Sequence, residues 1–299
     1  VLYDPAFAVV ATWFHRRRAR ALTILTFIAG FASIVFVPLA QQLVQRQGWR
    51  AALVTLAVVL AVTTVPAHAL VLRRRPRDHG WLPDGRAAEP DAARVATVQT
   101  DGVRVRAALH AATFWWMTAA FALSMFTGTA IIVHLVPYLL ERGYAGSFAA
   151  GMIGLIGLVA LPGRVVFTEL GDRVERQFVA AALFWSQALA VLALLLLPST
   201  PGVLLFVVLF GAAFGSITPA RAALLAERYG AHSYASINSV LGLFVTGARA
   251  LAPVGAGILF DRLGTYQPLF VLLVALSTLA GGAMLLAHGG QAAATQPLS

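Results

Sequence analysis

The chain contains no cysteine and no lysine, and charges of either sign are scarce. Without cysteine there are no disulfides and no zinc–thiolate sites, and the redox compartment leaves no trace. Without lysine, all 22 basic side chains are arginine. No physical requirement asks for that, and it reads as the genomic coding bias of a bacterial source. Charged residues make up 11% of the sequence and hydrophobic residues 59%, whereas a soluble domain carries about a quarter charged residues. One water-facing core does not absorb so much apolar surface, so the solvent is expected to be lipid. Catalytic signatures are missing as well. There is no Gly-rich phosphate loop, no His-Glu-x-x-His and no Gly-x-Ser-x-Gly, so neither an enzyme nor a cofactor or metal site is expected. No cleavable signal peptide is visible, and Val1 opens inside an apolar run, which reads as the interior of a longer chain.

What the sequence does have is long apolar runs. A spanning helix needs about 20 mostly apolar residues. Eight segments qualify: 22–44, 51–72, 110–140, 148–170, 178–197, 203–225, 235–260 and 267–287. Residues 1–14 form a shorter ninth, about 21 Å at helical rise. The runs are too long and too little alternating for strands, so the predicted class is an all-α integral membrane protein. The connections differ sharply in charge. Loops 15–21, 73–106, 171–177 and 226–234, with the tail from 288, hold 15 arginines, and the alternate loops hold 4. By the positive-inside rule the first set, including the C-terminus, faces the cytoplasm. The net charge of +10 therefore reports orientation. "HRRRAR" (15–20) lies between two spans, so no nucleic-acid partner is expected.

The chain also repeats itself. Phe14, Pro38 and Gly48 recur as Tyr229, Pro253 and Gly264 at offsets of 215, 215 and 216, and Pro5 recurs as Pro219 at 214. Parallel repeats characterise one large class of secondary transporter. The offset implies that about 107 residues, enough for three spans, would precede residue 1 in the complete repeat. The expected organisation is a partial N-terminal bundle of three helices (1–72), a linker (73–106) and a complete six-helix C-terminal bundle (107–299). The stretch 100–116 reads as a surface helix leading into the next span.

Four segments carry a resemblance. "GRVVFTELGDRVERQ" (163–177) resembles the Gly-x-x-x-Asp-Arg loop of the major facilitator superfamily. "RALAPVGAGILFDRLGTYQPLF" resembles its helix 11–12 corner, and "GFASIVFVPLAQQLVQRQGWRAAL" its helix 5–6 corner. "HLVPYLLERGYAGSFAAG" resembles the helix 7–8 region of bacterial members close to oxalate–formate exchangers and monocarboxylate porters. The resemblance covers helices 4 to 12. It implies a major facilitator fold and a conformational latch at Asp172, Arg173 and Arg176; the alternative is an ordinary charged loop. Thr168 and Glu175 replace two glycines of the family pattern.

Charges inside the spans bear on function. Arg249 lies 14 residues from Ala235 and 11 from Phe260, about 21 and 16 Å from the ends of its helix. A central arginine costs about 2.5–3.5 kcal/mol on insertion scales, so it must face a partner or a watery passage. It is either a substrate-anion site or a structural cation. Arg164, eight residues before Asp172, matches an arginine that the resembled porters use for anions; pairing with Glu169 or with lipid phosphate is the alternative. Asp4 sits about 15 Å deep and is a candidate for proton coupling or for an ion pair. His134 is a candidate relay or substrate contact, and Tyr3, Gln187 and Asn238 are further pocket candidates. Together these features predict a monomeric carrier in the inner (plasma) membrane. It would move a small organic anion, a mono- or dicarboxylate, by alternating access with proton symport or exchange. A proton-driven exporter of hydrophobic drugs is the alternative.

Overall fold

The computed structural model describes residues 3–14, 16–71, 76, 81–82, 84, 86–87 and 105–287. The side chains of Tyr3, Asp4, Pro5, Pro38, Asp172 and a few other helical residues lie outside that set. The chain divides into two compact units, 9–99 and 100–299, with residues 1–8 grouped in the latter.

The first helix, α1 (Tyr3–Trp13), is followed by α2 (Arg18–Val71). Gly48 breaks α2 at φ 76°, ψ 162°. Only a residue without Cβ enters that region at little cost, and the glycine turns one continuous apolar sequence into two arms. Residues 22–44 and 51–71 of the two predicted spans lie in these arms, and residue 72 is outside the described residues. A small antiparallel hairpin, β1 (Trp81–Leu82) and β2 (Arg86–Ala87), departs from the all-α expectation. Its turn residue Asp84 takes φ 65° and accepts a 3.1 Å hydrogen bond from the Arg16 amide. The Trp81 ring meets Trp13 edge-on at 6.3 Å. Arg16 of the first Arg-rich stretch is thereby tied to Asp84 of the second.

In the larger unit, α3 (Val105–His110) leads into α4 (Ala112–Glu141), α5 (Gly146–Arg173), α6 (Arg176–Leu196), α7 (Thr200–Leu263) and α8 (Gln267–Leu286). Within the described part of the expected surface helix, residues 105–110 form α3 and the chain breaks before α4, while 100–104 lie outside the described residues. Ala111 is extended there (ψ 128°), and Trp115 Nε1 donates back to the Leu109 carbonyl at 2.9 Å. Gly230 (φ 71°, ψ 166°) divides α7 into α7a (Thr200–Gly230) and α7b (Ser233–Leu263). No nine-residue loop over 226–234 separates them, which corrects the sequence reading. One left-handed glycine suffices to break the helix, and the polar residues around it stay helical. α4, α5, α6, α7a, α7b and α8 are each long and apolar enough to cross a membrane.

Their core is aromatic. Phe206, Phe210 and Phe214 stack in series at 5.2 and 5.3 Å, and Tyr138 lies 4.4 Å from Phe270. At one seam the backbones themselves touch. A Cβ on Gly163 of α5 would stand 2.6 Å from Ala212 Cα of α7a, and one on Gly215 of α7a would stand 2.8 Å from Ala160 Cα. Small residues four apart, Gly211 and Gly215, permit this approach.

Candidate anion-binding site

Arg249 lies near the middle of α7b and is exposed. Its angular position gives that exposure meaning. Successive helical residues turn about 100°, so Arg249 lies about 40° from Val245 and 20° from Ala256. Both of these are buried, as is Ala252. Leu243, Leu251 and Val254, which present the greasy outer face, lie about 120–160° away from Arg249. Arg249 is thus exposed on the packed side of its helix, away from the greasy outer face. It meets no hydrogen-bond or ion-pair partner among the described residues. Pro253 follows one turn later and has no amide hydrogen, so the Arg249 carbonyl loses its helical donor. His134 of α4 donates from Nε2 to the Pro253 carbonyl at 3.3 Å, and its ring lies 5.7 Å from Tyr266. The structure thereby connects His134 to the turn that carries Arg249.

Arg164 of α5 is half-buried, and its Nε donates to the Gly215 carbonyl of α7a at 3.0 Å. It stands one turn beyond Ala160, at the close seam. Gln187 is fully buried. It donates from Nε2 to the Ser124 carbonyl at 3.2 Å and accepts from Ser124 Oγ at 2.8 Å. Asn238 is 2% exposed. The side chains of Tyr3 and Asp4 lie outside the described residues. A third membrane arginine, Arg221 of α7a, escaped the sequence reading, although it too sits in a predicted span. Its side chain is buried.

Comparison with known proteins agrees with this architecture. Residues 1–253 match the Major Facilitator Superfamily. The chain belongs to this superfamily.

Relatives of this superfamily chain include monocarboxylate transporter 13 of Bos taurus and monocarboxylate transporter 12 of Rattus norvegicus. The first is 29% identical over 292 residues, covering 96% of this chain and 62% of the relative. The second is 26% identical, covering 90% and 60%. The chain thus spans about three fifths of the length of these relatives. The E. coli fucose:proton symporter FucP shares the fold, with a TM-score of 0.65 at 16% identity, over 94% of this chain and 72% of that one. The membrane fold and the resemblance read from the sequence are therefore correct, and the family is one of transporters. The relatives named here are mammalian, so they lend nothing to the bacterial source read from the arginine bias.

The superfamily loop at 163–177 lies at the α5–α6 junction. The Asp172 side chain is outside the described residues, and Arg173 is exposed. Arg176 Nε meets Glu227 Oε2 of α7a at 2.9 Å. Beside it, Gln177 Nε2 donates to the Met284 carbonyl, and Arg228 Nη2 donates to the Ala287 carbonyl at 3.1 Å. The last turn of α8 leaves carbonyls without helical donors, and these two side chains supply them. A cation at a helix C-terminus is also favoured by the helix dipole. The partners of Arg176, Gln177 and Arg228 named here all belong to the same bundle.

Proposed function

We propose that the protein is a secondary active transporter that moves a small organic anion, a mono- or dicarboxylate, by alternating access. The observation that carries this reading is Arg249. It is a permanent cation at mid-span, exposed on the packed side of its helix and without a protein partner among the described residues. A guanidinium so placed is stabilised by an anion that fits its fork. The names of the relatives, monocarboxylate transporters, support a carboxylate. Arg164 is the second anion contact in this reading, and His134 supports the α7b turn. Gln187 and Asn238 are assigned to helix packing. Tyr3 lines the passage, and Asp4 takes the coupled proton, in symport or exchange. Asp172, Arg173 and Arg176 form the cytoplasmic latch.

The same reading places three helices of an N-terminal bundle in 1–72, a linker in 73–106 and six helices in 107–299. The protein is a monomer in the plasma membrane, the inner membrane of a bacterial host, with its C-terminus in the cytoplasm. Uptake of radiolabelled lactate and succinate into proteoliposomes bearing the full-length gene product, with and without a proton gradient, tests the reading. Arg249→Ala should abolish uptake, and Arg249→Lys should retain a fraction of it. If Arg249→Ala and Arg164→Ala both leave carboxylate uptake intact, the anion assignment fails. If uptake ignores the gradient, proton coupling fails.

A further inference from the structure

We infer that Pro219 is a positioning residue for anion binding: it leaves the Gly215 carbonyl unclaimed within α7a, and that carbonyl holds the Arg164 guanidinium in its working orientation. The inference rests on the proposed anion site and adds a residue to it. In an α-helix each carbonyl accepts from the amide four residues later. The residue four after Gly215 is Pro219, which has no amide hydrogen. The orphaned carbonyl is buried, since Gly215 is buried against Ala160. A polar group left unsatisfied at membrane depth is strongly disfavoured. Arg164 Nε supplies the missing donor at 3.0 Å.

Three independent features make that bond possible. Pro219 removes the competing amide. Gly215 has no side chain, so α5 comes close enough for Arg164 to reach the backbone. Arg164 follows Ala160, the residue that touches Gly215, by one turn. Any one of these alone would read as ordinary packing, but together they build an acceptor for one particular guanidinium nitrogen. A guanidinium is a rigid plane with five donors. Holding Nε restrains the plane, so a carboxylate meeting Arg164 finds part of the planar geometry already chosen. Preorganisation of this kind raises affinity by lowering the ordering cost of binding.

The test is a double-mutant cycle in the full-length protein. Pro219→Ala restores the amide, which draws the Gly215 carbonyl back along the helix axis and away from Arg164. Equilibrium binding of radiolabelled lactate and succinate is measured for the wild type, Pro219→Ala, Arg164→Gln and the double variant. Pro219→Ala should weaken binding about five- to tenfold in the Arg164 background and less than about twofold in the Arg164→Gln background. The melting temperature should stay level or rise, because alanine is the better helix former. Equal weakening in both backgrounds, or none in either, overturns the inference and leaves the anion site standing. Unchanged binding in Arg164→Gln itself overturns the role of Arg164, and this inference with it. Where Arg164→Gln binds nothing, Arg164→Lys serves as the background, since its ammonium lacks the planar fork. Where Pro219→Ala does not fold, Pro219→Gly restores the same amide and is read by the same criteria.

Discussion

Ser124 and Gln187 hydrogen bond in both directions across the α4–α6 contact, hydroxyl to amide oxygen at 2.8 Å and amide nitrogen to backbone carbonyl at 3.2 Å. Both are fully buried. Removing one partner of a buried pair strands the other, at about 1–3 kcal/mol. Ser124→Ala should therefore lower the melting temperature in detergent. Gln187→Leu should lower it further, because it removes both bonds and leaves the Ser124 hydroxyl without its acceptor. Carboxylate affinity should change little in either variant; a large loss of affinity at unchanged melting temperature would return Gln187 to the binding site.

Arg176 and Glu227 are the opposite case. Their bond is short, but the Glu227 side chain is 62% exposed. Solvent screens such pairs, and the coupling measured by a double-mutant cycle of Arg176→Ala and Glu227→Ala should stay below about 1 kcal/mol. It should shrink further as salt is added. A salt-insensitive coupling well above that would mean the pair is sequestered in the working membrane protein.

How far the sequence foretold these contacts depends on their range. The spans were readable because lipid imposes a run of about 20 apolar residues whatever the neighbours are. Gly48 and Gly230 break helices that hydropathy alone bounds only loosely. The turns of α7 around Gly230 extend beyond the apolar run because polar residues such as Glu227 and Arg228 form helix readily. The arginines could be located by their cost in lipid. Their partners could not be: the Gly215 carbonyl is 51 residues from Arg164, and the Pro253 carbonyl is 119 residues from His134. Composition and spacing say nothing of such pairs. Arg221 was overlooked although it obeys the same rule as Arg249. The 81–87 hairpin was invisible because its two-residue strands carry no alternation to detect.

The glycine seam should tolerate no side chain. A Cβ at position 163 would fall 2.6 Å from backbone of α7a, which cannot move aside as a side-chain tip can. Gly163→Ala should cost about 1–3 kcal/mol by overpacking, read as a lower melting temperature in detergent. Gly157, where an added Cβ meets nothing within 4 Å, is the control. Gly157→Ala should be neutral or mildly stabilising, and equal effects at the two sites would contradict the packing.

Tyr266 lies between α7b and α8. Burial first, and then the carboxylates of Glu141 and Asp261, hold its phenol above the ordinary value of 10.0. A raised value favours the neutral form in the fold. Any stability gained is therefore full below pH 10 and is lost as pH rises through the raised value. Phenolate absorbance in alkaline titration should contain a late fraction that Tyr266→Phe removes. Loss of an early fraction instead would place this ring in water.

The contact of Gly163 with Ala212, and of Gly215 with Ala160, has a use beyond stability. Two rods in direct backbone contact move as one body for as long as that contact holds, so spin labels fixed one on each should keep a constant separation while it does. That separation is an internal yardstick, and any distance that changes against it reports true motion elsewhere in the protein.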